Sequence, residues 1–202
     1  MSLLSDITAL IEKTLSDKGE VAIALSGGSS PIALYKALSG KDLAWSNVTV
    51  TLIDDRYVAA DHKDSNQKLI NETFLQDKAA KARFINIEDW PHDRIPDIGI
   101  LGMGGDGHFA SLFPQMMGEA KAFDPSAQPA ILKTEPMGSP KHPRITMNLA
   151  MILAIPNRIL MVIGDEKIKV LNAALNGALN GEELPISRLL AHNGTSITNE
   201  RI

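Results

Sequence analysis

Short apolar runs bounded by turn residues recur along this chain, and between them apolar residues return at every third or fourth position. The runs are brief and rich in branched residues, as buried strands are. They predict strands at 21–25, 48–53, 84–87, 98–101, 130–132, 145–147 and 159–163. The three- and four-residue spacing predicts helices at 3–15, 31–38, 66–75 and 166–179. Strands that alternate with helices predict an α/β fold, a three-layer Rossmann-like sandwich around a mostly parallel central sheet.

Length and segment composition favour a single domain over residues 1–202, which is long enough to bury a core. In 114–143, which is rich in proline, glycine and lysine, we expect an extended loop and not a linker. The first residues include no lysine or arginine, and the acidic Asp6 and Glu12 follow soon after. This pattern favours an amphipathic helix over a signal peptide. The longest uncharged apolar stretch, 149–156, is far shorter than the roughly 20 residues of a membrane span. We therefore expect a cytoplasmic protein without a membrane partner.

A net charge of −4 and a pI near 5.7 argue against a nucleic-acid-binding surface, which needs clustered lysine and arginine. The aromatic content of 4% leaves few side chains that could stack on bases or sugars. The chain has no cysteine, which excludes disulfides, thiolate metal sites and a cysteine nucleophile. A small anionic ligand, held by a local group of residues, is compatible with this composition.

Ligands of open α/β sheets collect at the carboxyl ends of the strands, where loops lead into helices. The loop after the first predicted strand consists of Ser26, Gly27, Gly28, Ser29, Ser30 and Pro31. Two glycines allow a turn that exposes N–H groups, Ser30 is placed to cap the next helix, and Pro31 suits a first helical position. Free N–H groups, hydroxyls and the helix dipole then favour an anion. A glycine turn that only connects strand to helix is the alternative.

A second glycine-rich loop follows the strand predicted at 98–101. Gly102, Gly104 and Gly107 match the spacing of a dinucleotide-binding fingerprint. That fingerprint needs a full helix after the glycines and an acidic residue at the end of a second strand. Pro114 would end the helix too early. The acidic residue at about the required distance is Asp124, and no predicted strand precedes it. A nicotinamide cofactor is therefore not predicted.

The same loop places Asp106 one glycine before His108. A histidine titrates near neutrality and can take a proton from water, while a neighbouring carboxylate fixes its tautomer. The pair therefore indicates a general base. An aspartate that caps a short helix, beside an exposed histidine, is the structural alternative.

A third polar group, Asp54, Asp55 and Arg56, ends the strand predicted at 48–53 and forms either a solvated turn or part of a site. An arginine there can fork onto a phosphate or carboxylate. The sequence Asp-Ser-Asn at 64–66 is typical of a helix N-cap. Further cations on predicted loops or helix starts, each more typical of a surface charge when taken alone, are Lys141, Arg144, Lys167 and Arg188.

The remaining histidines, His62, His92, His142 and His192, have no spacing typical of metal ligands, so no metal site is predicted. No serine lies in a G-x-S-x-G motif, and the sequence gives no support to serine hydrolase chemistry.

The three loops together resemble one protein family, the 6-phosphogluconolactonases, which are relatives of the glucosamine-6-phosphate deaminases. The matching segments are ALSGGSSP at 24–31, DDRYV at 54–58 with DSN at 64–66, and GMGGDGHFASLFP at 102–114. Similar later segments lie at 164–167 and 184–185. The ASLFP stretch after His108, and Arg56 itself, are similar to the lactonase branch and unlike the deaminase branch.

The resemblance implies hydrolysis of 6-phospho-D-glucono-1,5-lactone to 6-phospho-D-gluconate, in the oxidative branch of the pentose phosphate pathway, without a metal or cofactor. It implies that His108 activates water and that Asp106 positions it. It also implies that substrate is bound by the 26–30 loop, Asp54, Arg56, Gly104 and Gly105, and by one or more of Lys141, Arg144, Lys167 and Arg188.

Two departures from the family pattern leave alternatives open. Asp55 stands where the family usually has glutamate, and the end of the chain, 191–202, lacks the usual tryptophan- and acid-containing tail. The tail favours either a compact variant or an altered substrate preference. A deaminase or isomerase acting on an amino-sugar phosphate, or a non-catalytic sugar-phosphate sensor, are the competing functions. The sequence does not indicate an oligomeric state.

Overall fold

The computed structural model describes residues 2–177 and 183–200, so the last part of the helix predicted at 166–179 lies outside the described residues. The helices are Leu3–Lys18 (α1), Ile32–Ser39 (α2), Asn66–Thr73 (α3), Ala120–Phe123 (α4), Leu149–Ala154 (α5), Asp165–Leu175 (α6) and Pro185–Leu190 (α7). The strands are Val21–Leu25 (β1), Val48–Leu52 (β2), Asp54–Arg56 (β3), Arg83–Phe84 (β4), Ile98–Gly102 (β5), Ile131–Met137 (β6), His142–Met147 (β7), Asn157–Met161 (β8) and Thr195–Thr198 (β9).

Six of these strands form one sheet in the order β4-β2-β1-β5-β8-β9, and every pair in it is parallel. β1, β2, β5 and most of β8 are buried, as their near-continuous apolar runs require of strands covered on both faces. The predicted α/β fold with a mostly parallel central sheet is confirmed. The strand order reverses between β1 and β5, and such a switch point opens a crevice at the carboxyl ends of the two strands.

A second, antiparallel sheet of three strands in the order β3-β7-β6 lies beside this crevice. The prediction of an extended loop at 114–143 was wrong in both halves, because α4 lies in the first half and β6 continues to Met137 and pairs with β7 in the second. Proline and glycine in that segment favoured a loop, but an exposed edge strand such as β6 tolerates Pro136. Asp54 to Arg56 likewise form a strand and not a turn, and their register with β7 fixes where these side chains lie.

Besides α4, three elements had no pattern that predicted them. Helix α5 buries Leu149 to Ile152 on all sides, so its sequence lacks the polar face that marks an amphipathic helix. The short helix α7 and the strand β9 are the others, and β9 completes the edge of the large sheet with Ile197 42% exposed. Within 2–177 and 183–200, no helix has both the length and the apolar character that a membrane crossing needs.

Candidate active site

A cavity of about 240 Å³ opens at the switch point, above the carboxyl ends of β1 and β5. The predicted site residues that line it are Ser26, Gly27, Gly28, Ser29, Ser30, Asp54, Arg56, Gly104, His108, Arg144 and Lys167. The fold therefore gathers residues from two loops, from α6 and from the small antiparallel sheet around one space. We call the 26–31 loop the cradle loop and the 102–113 loop the base loop.

Hydrogen bonds of the Ser26 main chain hold the cradle loop in place, whereas the Ser26 hydroxyl takes no part in them. Ser26 N–H donates to the carbonyl of Ile100 at 3.0 Å, and the buried Tyr35 hydroxyl donates to the Ser26 carbonyl at 2.8 Å. Ser26 Oγ is buried and has no hydrogen-bond partner among the described residues. A buried hydroxyl without a partner costs free energy, which a ligand oxygen in the cavity would recover.

The helix after the cradle loop begins one residue later than predicted. Pro31 is the N-cap of α2, and no side chain caps the helix, so the predicted capping role of Ser30 was wrong. Gly28 has a φ of +90°, a left-handed conformation that glycine adopts without strain. The uncapped start of α2 leaves N–H groups that an anion can accept from.

Asn66 connects the cradle loop to the antiparallel sheet, a role that the sequence did not reveal. Its Nδ2 donates to the Asp54 carbonyl at 2.9 Å, and its Oδ1 accepts from Arg56 Nη1 at 3.3 Å. A Cβ on Gly27 would lie 1.9 Å from the same Oδ1. The sequence assigned Asn66 only to a helix cap, and the cap itself is Ser65, whose Oγ accepts from Lys68 N–H. Asn66 also lines the cavity, and its contacts with residues distant in sequence mark it as a site residue.

Two arginines are paired on neighbouring strands of the antiparallel sheet. Arg56 and Arg144 are register partners on β3 and β7, so their Cβ atoms lie about 4.5–5.5 Å apart. Arg144 is buried, and its guanidinium donates to the carbonyls of Met137 and Pro140. Burial and the neighbouring charge of Arg56 lower the pKa of Arg144. Like charges placed directly opposite repel each other, and an anion between them relieves that repulsion.

The two aspartates before Arg56 have different surroundings. Asp54 lines the cavity, and its Oδ2 accepts from the buried Ser111 Oγ at 2.6 Å. Asp55 points to the start of α3, where its carboxylate accepts from the N–H groups of Asn66 and Gln67 at 2.6 and 3.0 Å. Burial raises the pKa of Asp55 despite these hydrogen bonds. Asp55 therefore caps a helix and does not line the cavity, and Ser111 is a partner that the sequence did not single out.

The base loop brings Asp106 and His108 together. Asp106 Oδ1 lies 2.5 Å from His108 Nδ1, and it also accepts from the His108 N–H at 3.2 Å. Burial raises the pKa of Asp106, but the hydrogen bond and charge of His108 outweigh burial, and the net pKa is lowered. An ionised Asp106 accepts the Nδ1 proton of a neutral imidazole. The Nε2 lone pair of His108 is then free to take a proton.

The ring of His108 is held by close packing as well as by that hydrogen bond. A Cβ on Gly104 would lie 2.1 Å from His108 Cε1, so only glycine fits there. The buried Phe113 ring lies against the imidazole with centroids 4.5 Å apart. Gly104 N–H donates to the His108 carbonyl at 2.8 Å and closes the loop on itself. No helix occurs within 103–113, so Asp106 does not cap a helix. The helix that a dinucleotide-binding fingerprint needs after its glycines is not formed there.

The other predicted residues lie outside the cavity lining. Gly105 and Asp106 are exposed beside the cavity, Lys141 is exposed, and Arg188 pairs with Glu183 at 2.8 Å. Of the four further cations, the structure thus brings Arg144 and Lys167 to the cavity. Residues 191–200 do not line it either; they form β9, and Glu200 accepts from Leu3 N–H at 2.9 Å.

Two of the histidines without metal-like spacing do lie together in space. His62, Asp64 and His142 each offer a donor atom within 4.8 Å of the others. His142 lies far from the other two along the chain, so only the fold reveals the cluster.

The sequence matches the protein family described as glucosamine-6-phosphate isomerases/6-phosphogluconolactonase over residues 1–95 and 86–198. The 6-phosphogluconolactonase of Neisseria meningitidis serogroup A is 38% identical to it, over 96% of this chain and 90% of that protein. The 6-phosphogluconolactonase of Pseudomonas aeruginosa is 37% identical, over 86% of this chain and 79% of that protein.

Solved structures agree with these sequence relatives. A 6-phosphogluconolactonase from Shewanella baltica superposes with a TM-score of 0.85 at 31% identity, covering 98% of this chain and 90% of that one. The 6-phosphogluconolactonase from Thermotoga maritima superposes with a TM-score of 0.78 at 25% identity, covering 96% and 91%. The similarity thus extends over almost the whole fold, including the loops that form the cavity.

Proposed function

Because the chain belongs to the glucosamine-6-phosphate isomerase/6-phosphogluconolactonase family, we propose that it hydrolyses 6-phospho-D-glucono-1,5-lactone to 6-phospho-D-gluconate. The observation that carries the proposal is the Asp106–His108 pair, whose free imidazole nitrogen lies at a cavity that also holds three cations. The curated relatives reported above are lactonases, which favours hydrolysis over deamination. The composition that indicates a cytoplasmic protein is consistent with such an enzyme.

The phosphate binds at the cradle loop. Its oxygens accept from the free N–H groups at the start of α2 and from Ser26 Oγ, which otherwise has no partner among the described residues. Arg56 and Arg144 supply two positive charges from the facing strands, and Lys167 supplies a third from α6. Binding the phosphate fixes one end of the substrate, so that its lactone carbonyl has a defined position relative to His108.

Chemistry proceeds at the other end of the cavity. His108 Nε2 takes a proton from a water molecule as the water oxygen attacks the lactone carbonyl carbon. The tetrahedral intermediate then breaks its bond to the ring oxygen, which receives the proton back from His108. The product carboxylic acid ionises and releases one proton to solvent. Asp106 stabilises the imidazolium that forms between these two transfers and keeps Nδ1 protonated throughout.

The test is hydrolysis of freshly generated 6-phosphogluconolactone, followed as acid release above the spontaneous rate. We expect the wild type to accelerate it and His108→Gln to lower kcat by about 10²–10⁴-fold, because a positioned general base contributes that much. His92→Gln is the matched control, since His92 is exposed and lies outside the cavity lining.

Two outcomes contradict the proposal. A folded wild type that does not accelerate lactone hydrolysis but releases ammonia from glucosamine 6-phosphate would be a deaminase. One that binds 6-phosphogluconate without either reaction would be a sensor. Full activity in His108→Gln would leave lactone hydrolysis in place and overturn the assignment of the base.

A further inference from the structure

Three side chains from two separate segments meet outside the cavity. His62 and Asp64 belong to the loop between β3 and α3, and His142 is the first residue of β7. His142 Nε2 lies 2.9 Å from Asp64 Oδ2, and His62 Nδ1 lies 3.8 Å from the same oxygen. The two imidazole rings are 5.5 Å apart between centroids and nearly perpendicular. We propose that His62, Asp64 and His142 form a binding site for a divalent transition-metal ion of the zinc class.

The donor distances are close to those that a metal ion imposes. Zinc bonds of about 2.0–2.2 Å place tetrahedral donors about 3.4 Å apart, between the two distances found here. Small rotations of the three side chains therefore suffice to enclose an ion. Two imidazoles with one carboxylate leave at least one coordination position for water, and this donor set favours zinc, cobalt or iron over magnesium and calcium, which prefer oxygen.

The hydrogen bonds within the cluster involve atoms that can bind a metal ion. Asp64 Oδ2 accepts from His142 Nε2 at 2.9 Å. His62 Nδ1 accepts from the Asp64 N–H at 3.1 Å and therefore carries a lone pair in the neutral ring. A metal ion would take that lone pair, and water can replace it at the N–H, because the His62 side chain is 38% exposed.

The proposed metal site lies outside the cavity, but its main chain contacts a residue that lines the cavity. None of its three side chains lines the cavity. The carbonyl of Asp64, however, accepts from Arg56 Nη1 at 2.6 Å, so the main chain of one ligand residue holds a proposed phosphate-binding arginine. The proposal does not depend on the reaction, because metal binding is measured without substrate.

The experiment titrates ZnCl2 into tag-free, EDTA-treated protein by calorimetry at pH 7.5. We expect one zinc ion per chain for the wild type, and an affinity at least tenfold weaker for His62→Gln and for His142→Gln. His92→Gln and His192→Gln are matched controls, since both residues are exposed and lie outside the cluster, and both should keep full affinity. His108→Gln should keep it too, which separates this site from the Asp106–His108 pair.

A second measurement uses only the wild-type protein. Co²⁺ added to the wild type should shift and broaden the imidazole proton resonances of His62 and His142 in NMR spectra, and leave those of His92 unchanged. Absence of zinc binding by the wild type would overturn the proposal. Binding that persists at full affinity in both cluster variants, or that is lost in His108→Gln, would do so as well.

Discussion

The half of the cavity that holds the cations and the half that holds His108 are supported in different ways. In the anchor half, which consists of the cradle loop, Arg56, Asn66 and Arg144, side chains hydrogen-bond to main-chain carbonyls of distant segments. In the base loop, Asp106 and His108 bond to each other and both are partly exposed, 49% and 30% for their side chains. The side chains of the anchor half are thus tied to the folded core, whereas Asp106 and His108 are held by the glycine turns around them, by packing on Phe113 and by one hydrogen bond.

Because of this difference, we expect substitutions in the two regions to change different properties of the enzyme. Substitutions in the anchor half should weaken substrate binding and, where they leave buried polar groups without partners, should also destabilise the fold. Substitutions that displace the partly exposed Asp106–His108 pair should lower kcat and leave the free energy of unfolding almost unchanged. The predictions below test that division, and each can be read as a change in kcat, in KM or in stability.

Gly104→Ala tests the base loop with the largest expected effect. The added methyl would lie 2.1 Å from His108 Cε1 and 2.8 Å from Asp106 Oδ1, so the imidazole must move away. A displacement of about 1 Å at the reacting group can cost about 10²-fold in rate. We expect kcat for lactone hydrolysis to fall by that factor while KM stays within about twofold.

Gly105→Ala is the control for that substitution, because a Cβ at Gly105 meets no atom within 4 Å. It should retain wild-type kcat. Equal losses in both variants would mean that the loop needs glycine flexibility during turnover and not space for the His108 ring.

Arg56→Ala tests the anchor half. Loss of a charged hydrogen-bond donor to the phosphate costs about 1.5–3 kcal/mol, equivalent to about 10- to 150-fold in KM. Initial rates over a range of lactone concentrations should show that increase with kcat reduced far less. Lys141→Ala, which removes an exposed cation outside the cavity lining, should leave KM unchanged. An Arg56→Ala enzyme with unchanged KM would place the phosphate elsewhere.

The sequence alone predicted the parallel sheet and those site residues that interact with near neighbours along the chain. Alternation of apolar runs with helical spacing predicted the central sheet, and Asp106 and His108 are paired because only one glycine separates them. Contacts between distant segments could not be obtained in this way. The contact of Asn66 with Gly27 joins α3 to the cradle loop. The hydrogen bond of Ser111 to Asp54 and the pairing of Arg144 with Arg56 depend on the small antiparallel sheet, whose strands carry proline and charge. The His62–Asp64–His142 cluster depends on the same sheet.

Ser111→Ala tests whether the buried hydrogen bond between the base loop and Asp54 contributes to stability. Ser111 Oγ donates to the buried Asp54 carboxylate, which would be left with one partner fewer. We expect a loss of about 1–3 kcal/mol in the free energy of unfolding, measured by urea denaturation. Thr51→Val is the control, because Thr51 Oγ1 is buried without a partner among the described residues, and its removal should be neutral or stabilising. Equal losses in the two variants would argue against a specific role for the Ser111 hydrogen bond.

The smallest expected effect concerns two carboxyl groups, that of Asp55, next to Arg56 of the anchor half, and that of Asp106 in the base loop. Burial raises the pKa of Asp55, whereas the hydrogen bond and charge of His108 lower that of Asp106 in spite of burial. The two groups should therefore titrate on opposite sides of their common reference value of 3.8. Carbon-13 NMR of the side-chain carboxyl groups, with resonances assigned through Asp55→Asn and Asp106→Asn, measures both in the same sample.

The consequences for stability have opposite signs. For Asp106, whose pKa is lowered on folding, the stabilisation is present above pH 3.8 and is lost as pH falls through the folded value. For Asp55, whose pKa is raised, the contribution is present below pH 3.8 and is lost as pH rises through the folded value. The base loop should thus keep the Asp106–His108 hydrogen bond at any pH above the lowered pKa of Asp106, whereas holding Asp55 ionised at the start of α3 costs free energy. An Asp55 that titrates below Asp106 would reverse this assignment and would mean that the helix N-terminus outweighs burial.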